Sequence, residues 1–251
     1  MRLRALSLYL FPLAAILGLA AWAAASRWSG LPAFILPSPM AVFSRFSVAL
    51  QDGSLVRHAS ATLLEVIGGL ALGTSIATIL GYGLAKSSTL ERLLAPYIVA
   101  SQSIPIVAIA PLLVIWFGPG RLSKVLISSL IVFFPILVNT IVGVRSVPGD
   151  LYDLMRSLQA NRWQIFRQLE VPAALPVLLG GLKIGATLSV IGAVVGEVVG
   201  AEEGLGLLIN IGRGVYDTTL VYVAVFTLIF MALAIYGSVS LIEKRLLAWK
   251  D

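Results

Sequence analysis

DLMRSLQANRWQIFRQLEVPAALP, from Asp153 to Pro176, is the stretch that decides how this chain is read. It is polar and basic, and it lies between apolar segments long enough to cross a membrane. Tyr152 to Leu158 can form one short helix, Gln159-Ala160-Asn161 breaks it, and Arg162 to Leu169 can form a second. Trp163 and Phe166 are three apart and so share a face of that second helix. Pro148-Gly149-Asp150 ends the preceding apolar segment, and Pro172 and Pro176 are expected to stop the second helix before the next one. A soluble-looking helix pair between spans offers aromatic and arginine side chains at the membrane surface, the composition of an interface anchor.

The remaining composition fits a membrane protein. Apolar residues make up 59% of the chain and charged residues 12%, where a soluble domain carries about 25% charge. Mean hydropathy is +0.97. The fold class expected is all-α, a polytopic helical bundle in one domain, residues 1–251. About six spans are expected, roughly at 7–26, 60–84, 93–117, 123–144, 175–199 and 218–241, because a crossing needs about 20 apolar residues. Helices are required because lipid cannot satisfy free backbone groups. The first segment follows Arg2 and Arg4 and lacks a clean small-x-small cleavage site, so it reads as a retained span.

Charge sets the expected orientation. With the N-terminus inside, Arg2, Arg4, Lys86, Arg92, Arg145, Arg156, Arg162, Arg167, Lys244, Arg245 and Lys250 face the cytoplasm. Arg27, Arg45, Arg57, Arg121, Lys124 and Arg213 face out, and Lys183 falls inside a span. This bias puts both termini and the 145–174 block in the cytoplasm. It also accounts for the net charge of +6 without a nucleic-acid partner. The chain has no cysteine and one histidine, His58, so no metal site is expected. The only Lys-Ser pair, Lys86-Ser87, follows Ala85 and not a glycine-rich turn, so the chain carries no P-loop for ATP.

Several polar residues lie where a translocation route could pass. Ser101, Gln102, Ser103 and Pro105 form a polar, proline-broken segment in or near the third span, read equally as route or as plain break. Asn139 and Thr140 in the fourth span either line a route or join helices by hydrogen bonds. Glu197 in the fifth either lines a route or is an interfacial carboxylate reaching water, and Glu65 is expected to be solvated. Gly68, Gly69, Gly73, Gly81 and Gly83 in the second span are read as a packing face. AVFSRFSVAL within 29–57 reads as a surface helix or an ordinary connector, and 200–217 as an outer loop. Trp22, Trp28, Trp116 and Trp249 sit near interfaces and receive no function.

The block resembles the signature of permease subunits of binding-protein-dependent ABC importers, in which E-A-A, a glycine, and I-x-L-P recur at fixed spacing. Here Asp153-Leu154-Met155 stands for E-A-A, Gln159 for the glycine, and Leu169-Glu170-Val171-Pro172 for the last part. The acid is kept, but the glycine is lost, which bears on a turn that favours positive φ. Pro105-x5-Pro111, WFGPG at Trp116–Gly120, FFPILVNT at Phe133–Thr140 and GEVVGAEEGLGLLI at Gly196–Ile209 are similar to the nitrate, sulfonate and taurine branch. That branch also includes permeases for bicarbonate, pyrimidine precursors and riboflavin. TLLE at Thr62–Glu65 and SQSIPIVAIAPL at Ser101–Leu112 lean toward the pyrimidine and flavin members.

The resemblance implies a non-catalytic subunit of the bacterial inner membrane. Two ATPase subunits would bind ATP and Mg²⁺, a second permease copy would complete the path, and an extracytoplasmic binding protein would deliver a small polar or heterocyclic solute. The turn Gln159-Ala160-Asn161 would enter a groove on the ATPase, flanked by Leu158. Trp163 and Phe166 would be its apolar anchors, Asp153, Arg156 and Arg162 its polar rim, and Pro172 with Pro176 would hold the angle to the fifth span. The competing classes are a secondary transporter, which favours inverted repeats and intramembrane charges, and a membrane enzyme, which needs clustered acids or a nucleophile. No inverted repeat, no cluster of acids and no nucleophile arrangement is found in the sequence.

Overall fold

A computed structural model describes residues 2–249, with side chains from Leu13 onward. Residues 7–12 of the first expected span, and the charges of Arg2, Arg4 and Lys250, therefore lie outside the described side chains. Helix α1 spans Arg2–Trp28 and α2 spans Pro39–Gln51. Ser38 caps α2, its hydroxyl accepting the Ala41 N–H at 3.2 Å, and Pro39 supplies a preset φ in the first turn. The 29–57 segment thus contains a helix and not only a connector. Its buried Val42 and Ala49 pack with Leu205, Leu208 and Val223.

The long helices follow. They are α3 (Ser54–Lys86), α6 (Arg121–Arg145), α9 (Val171–Val199) and α11 (Thr218–Leu246). Among the described residues, four helical stretches are long and apolar enough to cross a membrane, the third being Arg162–Val199 taken whole. The span expected at 93–117, with its proline break, is two helices, α4 (Ser88–Gln102) and α5 (Ile106–Phe117), meeting at 91°. Pro105 explains the corner, because it lacks an N–H and disfavours helical backbone at the residue before it. The 200–217 stretch is not a loop. It contains α10 (Leu205–Gly214), which buries Leu205, Leu208 and Gly212 on one face.

The core is a three-helix layer with α6 in the middle. Lipid offers no hydrophobic drive between helices, so close backbone approach has to supply the packing. On α3, Gly69 meets Ser128, Gly73 meets Ser129 and Val132, and Gly81 meets Thr140. Gly68 meets Val125, but Gly83 has nothing within 4 Å, so it does not belong to the packing face. On α9, Gly181, Gly185, Gly192 and Gly196 approach Asn139, Ile136, Ser128 and Lys124 of α6. Two glycine faces therefore clasp one central helix. Trp22 adds a peripheral tie: its indole donates to the Pro37 carbonyl at 3.0 Å and stacks on Tyr222 at 5.4 Å.

Candidate functional site

The polar block folds as a short helix, a rigid turn and a helix continuous with a span. α7 runs Gly149–Ser157 and α8 runs Arg162–Ile165. Between them the chain reverses through a closed set of hydrogen bonds. The Ala160 N–H donates to the Met155 carbonyl and the Gln159 N–H to the Arg156 carbonyl, both at 2.9 Å. This pairing is a Schellman motif, and it puts Gln159 in the left-handed region with φ +56°. Asn161 then opens α8 with a reciprocal cap. Its side chain accepts the Gln164 N–H at 2.9 Å, and its own N–H reaches the Gln164 side chain at 2.8 Å.

Gln159 thus stands where glycine would be unstrained, since a side chain in the left-handed region costs about 1 kcal/mol. Gln159→Gly should therefore stabilise the folded turn by about 1 kcal/mol, less any gain in freedom of the unfolded chain. Amide exchange at Ala160 and Asn161 is the measurement. Faster exchange in the glycine variant would show that Gln159 is not strained.

Proline does not stop the second helix as expected. From Phe166 to Glu170 the helix takes one π turn, in which the Val171 N–H donates to the Phe166 carbonyl, and it runs on into α9. Pro172 falls in the first turn after this register shift, and Pro176 is carried inside α9. A single added residue rotates the following helix by about 100°. Trp163 is 64% exposed and stacks on Phe166 at 5.4 Å. Phe166 is half-buried and meets the Tyr82 ring edge-on at 5.3 Å. It therefore faces α3 of its own chain as well as Trp163. Asp153, Arg156, Leu158, Gln159, Asn161 and Arg162 are exposed and Ala160 is half-buried, with Arg156 donating to Asp153 at 3.1 Å.

The six residues considered for a substrate route are not gathered together. Ser101, Gln102 and Ser103 are exposed at the α4–α5 corner. Asn139 and Thr140 bond the carbonyls of Pro135 and Ile136, four residues back on their own helix, at 2.8 and 2.7 Å. They touch the neighbouring helices through glycine and not by interhelical hydrogen bonds. Glu197 does not reach water. It is fully buried, accepting the Thr62 hydroxyl and the Gly206 N–H, each at 2.6 Å. Glu65, expected to be solvated, is 3% exposed beside it. Lys124, counted with the outer loop, is also buried, its ammonium on the Pro119 and Gly120 carbonyls.

The sequence profile described as "Binding-protein-dependent transport system inner membrane component" matches residues 69–248. The chain belongs to this permease family. The permease is 50% identical to the riboflavin transport system permease protein RibX of Chloroflexus aurantiacus, over 95% of this chain and 89% of that relative. It is 36% identical to the formylaminopyrimidine transport permease protein ThiX of Halalkalibacterium halodurans, over 91% of each. Identity to the taurine transport system permease protein TauC of Escherichia coli is 28%, over 91% of this chain and 84% of the relative. In fold, the permease is similar to the inward-facing MetNI methionine ABC transporter, with a TM-score of 0.66 and 21% identity. That likeness covers 78% of this chain and 97% of the solved one. The chain is thus a multi-pass ABC transporter permease, a membrane subunit of a family whose ATPase activity belongs to a separate subunit.

Sequence reasoning missed three polar junctions of the permease. Thr62, Glu65 and Glu197 meet under the 204–206 segment, where Gly204 leaves no room for a Cβ against the Glu197 carboxyl. Arg57 binds Glu203 at 2.7 and 2.9 Å and holds that carboxyl below the usual carboxylate range. At the other end, Lys86 and Tyr82 meet Glu170. The signal for the last lay within the motif itself, as an acid placed just before a long apolar run.

Proposed function

We propose that this permease is the translocating subunit of an ATP-driven importer. Two copies form the path, two ATPase subunits dock on the 159–161 turn, and a binding protein delivers solute on the opposite side. The observation that carries the reading is the rigid, exposed turn of a family member, built on a helix that continues without a break into a span. Such a lever can pass a rigid-body motion into the membrane. ATP and Mg²⁺ sit on the ATPase alone. The solute is a nitrogen heterocycle of the flavin or pyrimidine kind, a choice supported by the higher identity to the riboflavin and formylaminopyrimidine relatives than to the taurine one. Both termini are cytoplasmic, on the same side as the turn, which the lysine and arginine bias supports.

A tagged permease drawn from its native membranes should bring down an ATPase in equal numbers. The reconstituted complex, with the binding protein, should take up riboflavin only with ATP. Because the chain has no cysteine, Arg162→Cys can be probed with an impermeant maleimide, which should label it only after the cells are permeabilised. Riboflavin movement by the permease with no ATPase subunit would make it a secondary transporter and overturn the reading.

A further inference from the structure

Glu170 is a charged residue only 3% exposed, sitting at the last position of the π turn. A buried carboxylate is costly unless it is paired and hydrogen-bonded. Here it has both. It accepts the Tyr82 hydroxyl at 2.8 Å on one oxygen and pairs with the Lys86 ammonium on the other. Lys86 ends α3, where a cation also meets the negative end of the helix dipole. The same ammonium lies 3.4 Å from the Tyr152 hydroxyl and 5.0 Å from that ring, so it also holds α7. Burial pushes the Tyr152 phenol up, so it remains a neutral partner.

These contacts add a side-chain attachment to the two that the chain itself provides, from α6 into α7 and from α8 into α9. The added one joins α7 and the π turn to the Lys86 end of α3 through Glu170, Lys86, Tyr82 and Tyr152. A block held only by its chain connections can swivel about them, while one also fixed to α3 moves with it. Near the same end of α3, Arg145 binds Glu91 at 2.6 and 2.8 Å and lies 3.4 Å from the Leu84 carbonyl, which ties in α4 and α6. At the far end, α3 and α9 are joined by Thr62 and Glu197.

We propose that Glu170 is the positioning residue that fixes the 149–165 block to α3 through Lys86 and Tyr82, so that the block, α3 and α9 move as one lever. The proposal rests on the coupling role given to the block above. Without Glu170 the block would still dock, but its movement would be absorbed at the π turn.

Two readouts test this on the full chain. In nanodiscs, spin labels at Ser75→Cys on α3 and Ser157→Cys on α7, both exposed positions, report the block against α3. With doubly labelled chain diluted into unlabelled chain, so that distances within one copy dominate, wild type should give one narrow distance distribution. Glu170→Gln, which keeps the shape and removes the charge, should broaden it, and the exchange Lys86→Glu with Glu170→Lys should narrow it again. In the reconstituted complex, riboflavin taken up per ATP should fall about tenfold in Glu170→Gln, within the usual span of site-to-site coupling, while ATP hydrolysis continues. If Glu170→Gln does not fold, Tyr82→Phe removes a single hydrogen bond, keeps the ring against Phe166, and should broaden the distances in the same direction. A narrow distribution and an unchanged uptake per ATP in a folded variant would overturn the proposal. Failure of the wild-type chain to bind any ATPase would instead sink the coupling role, and the spin-label result would still judge the joint.

Discussion

Gly192→Leu should leave the bundle unable to hold its native packing. A Cβ at position 192 would lie 2.5 Å from the Ser128 Cα, a backbone atom that cannot swing aside. The α6–α9 interface would have to part by more than an ångström along much of its length. Overpacking of this kind typically costs about 1–3 kcal/mol, and leucine adds bulk beyond the first carbon. Replacing glycine within a helix returns at most about 1 kcal/mol of propensity. The clash therefore wins, and we expect a loss of about 3 kcal/mol. Gly180→Leu on the same helix is the matched control, because nothing lies within 4 Å of its added carbon. Reversible unfolding in mixed detergent would compare the two. Equal stability of the two variants would show that α9 does not rest on α6 as described.

That contrast shows what one-dimensional reading can and cannot supply. The glycines of α3 were legible as a packing face because small residues in a span have few other uses. Gly83 shares their composition but not their face, and only the three-dimensional phase of α3 separates it from Gly81. Carboxylates near the ends of spans usually reach water, so the sequence reads Glu65 as solvated and Glu197 as interfacial or route-lining. The burial of Glu197 depends on Thr62, 135 residues away, and on the backbone of the 204–206 segment, which no local pattern announces. The prolines failed differently. Pro172 looks like a stop in the sequence, yet a π turn just before it changes the backbone pairing so that the helix runs through. Pro105 was legible as a break, and the structure gave that break its right angle.

Trp163→Ala should weaken ATPase docking by well over tenfold and leave the permease itself intact. The indole is 64% exposed, too open to contribute much to the bundle, and surface changes of this kind are usually within about 0.5 kcal/mol. Its stacking on Phe166, which is set edge-on to Tyr82, restricts the ring before any partner arrives. A preordered aromatic loses little further freedom on binding, and a central anchor of this type typically contributes about 2 kcal/mol or more. Since each 1.4 kcal/mol is about tenfold in affinity, the expected loss exceeds one decade. Phe166→Ala is the less informative change, because it also removes the contact with Tyr82 and loosens the block within its own chain. The polar rim cannot substitute for the anchor: the Arg156–Asp153 pair is 71% and 76% exposed, and pairs this open contribute about 0–1 kcal/mol. Titration of the ATPase onto nanodisc-held permease, with a melting curve beside it, separates the outcomes. Unchanged affinity in Trp163→Ala would place the docking surface elsewhere and remove the 159–163 turn from the coupling role.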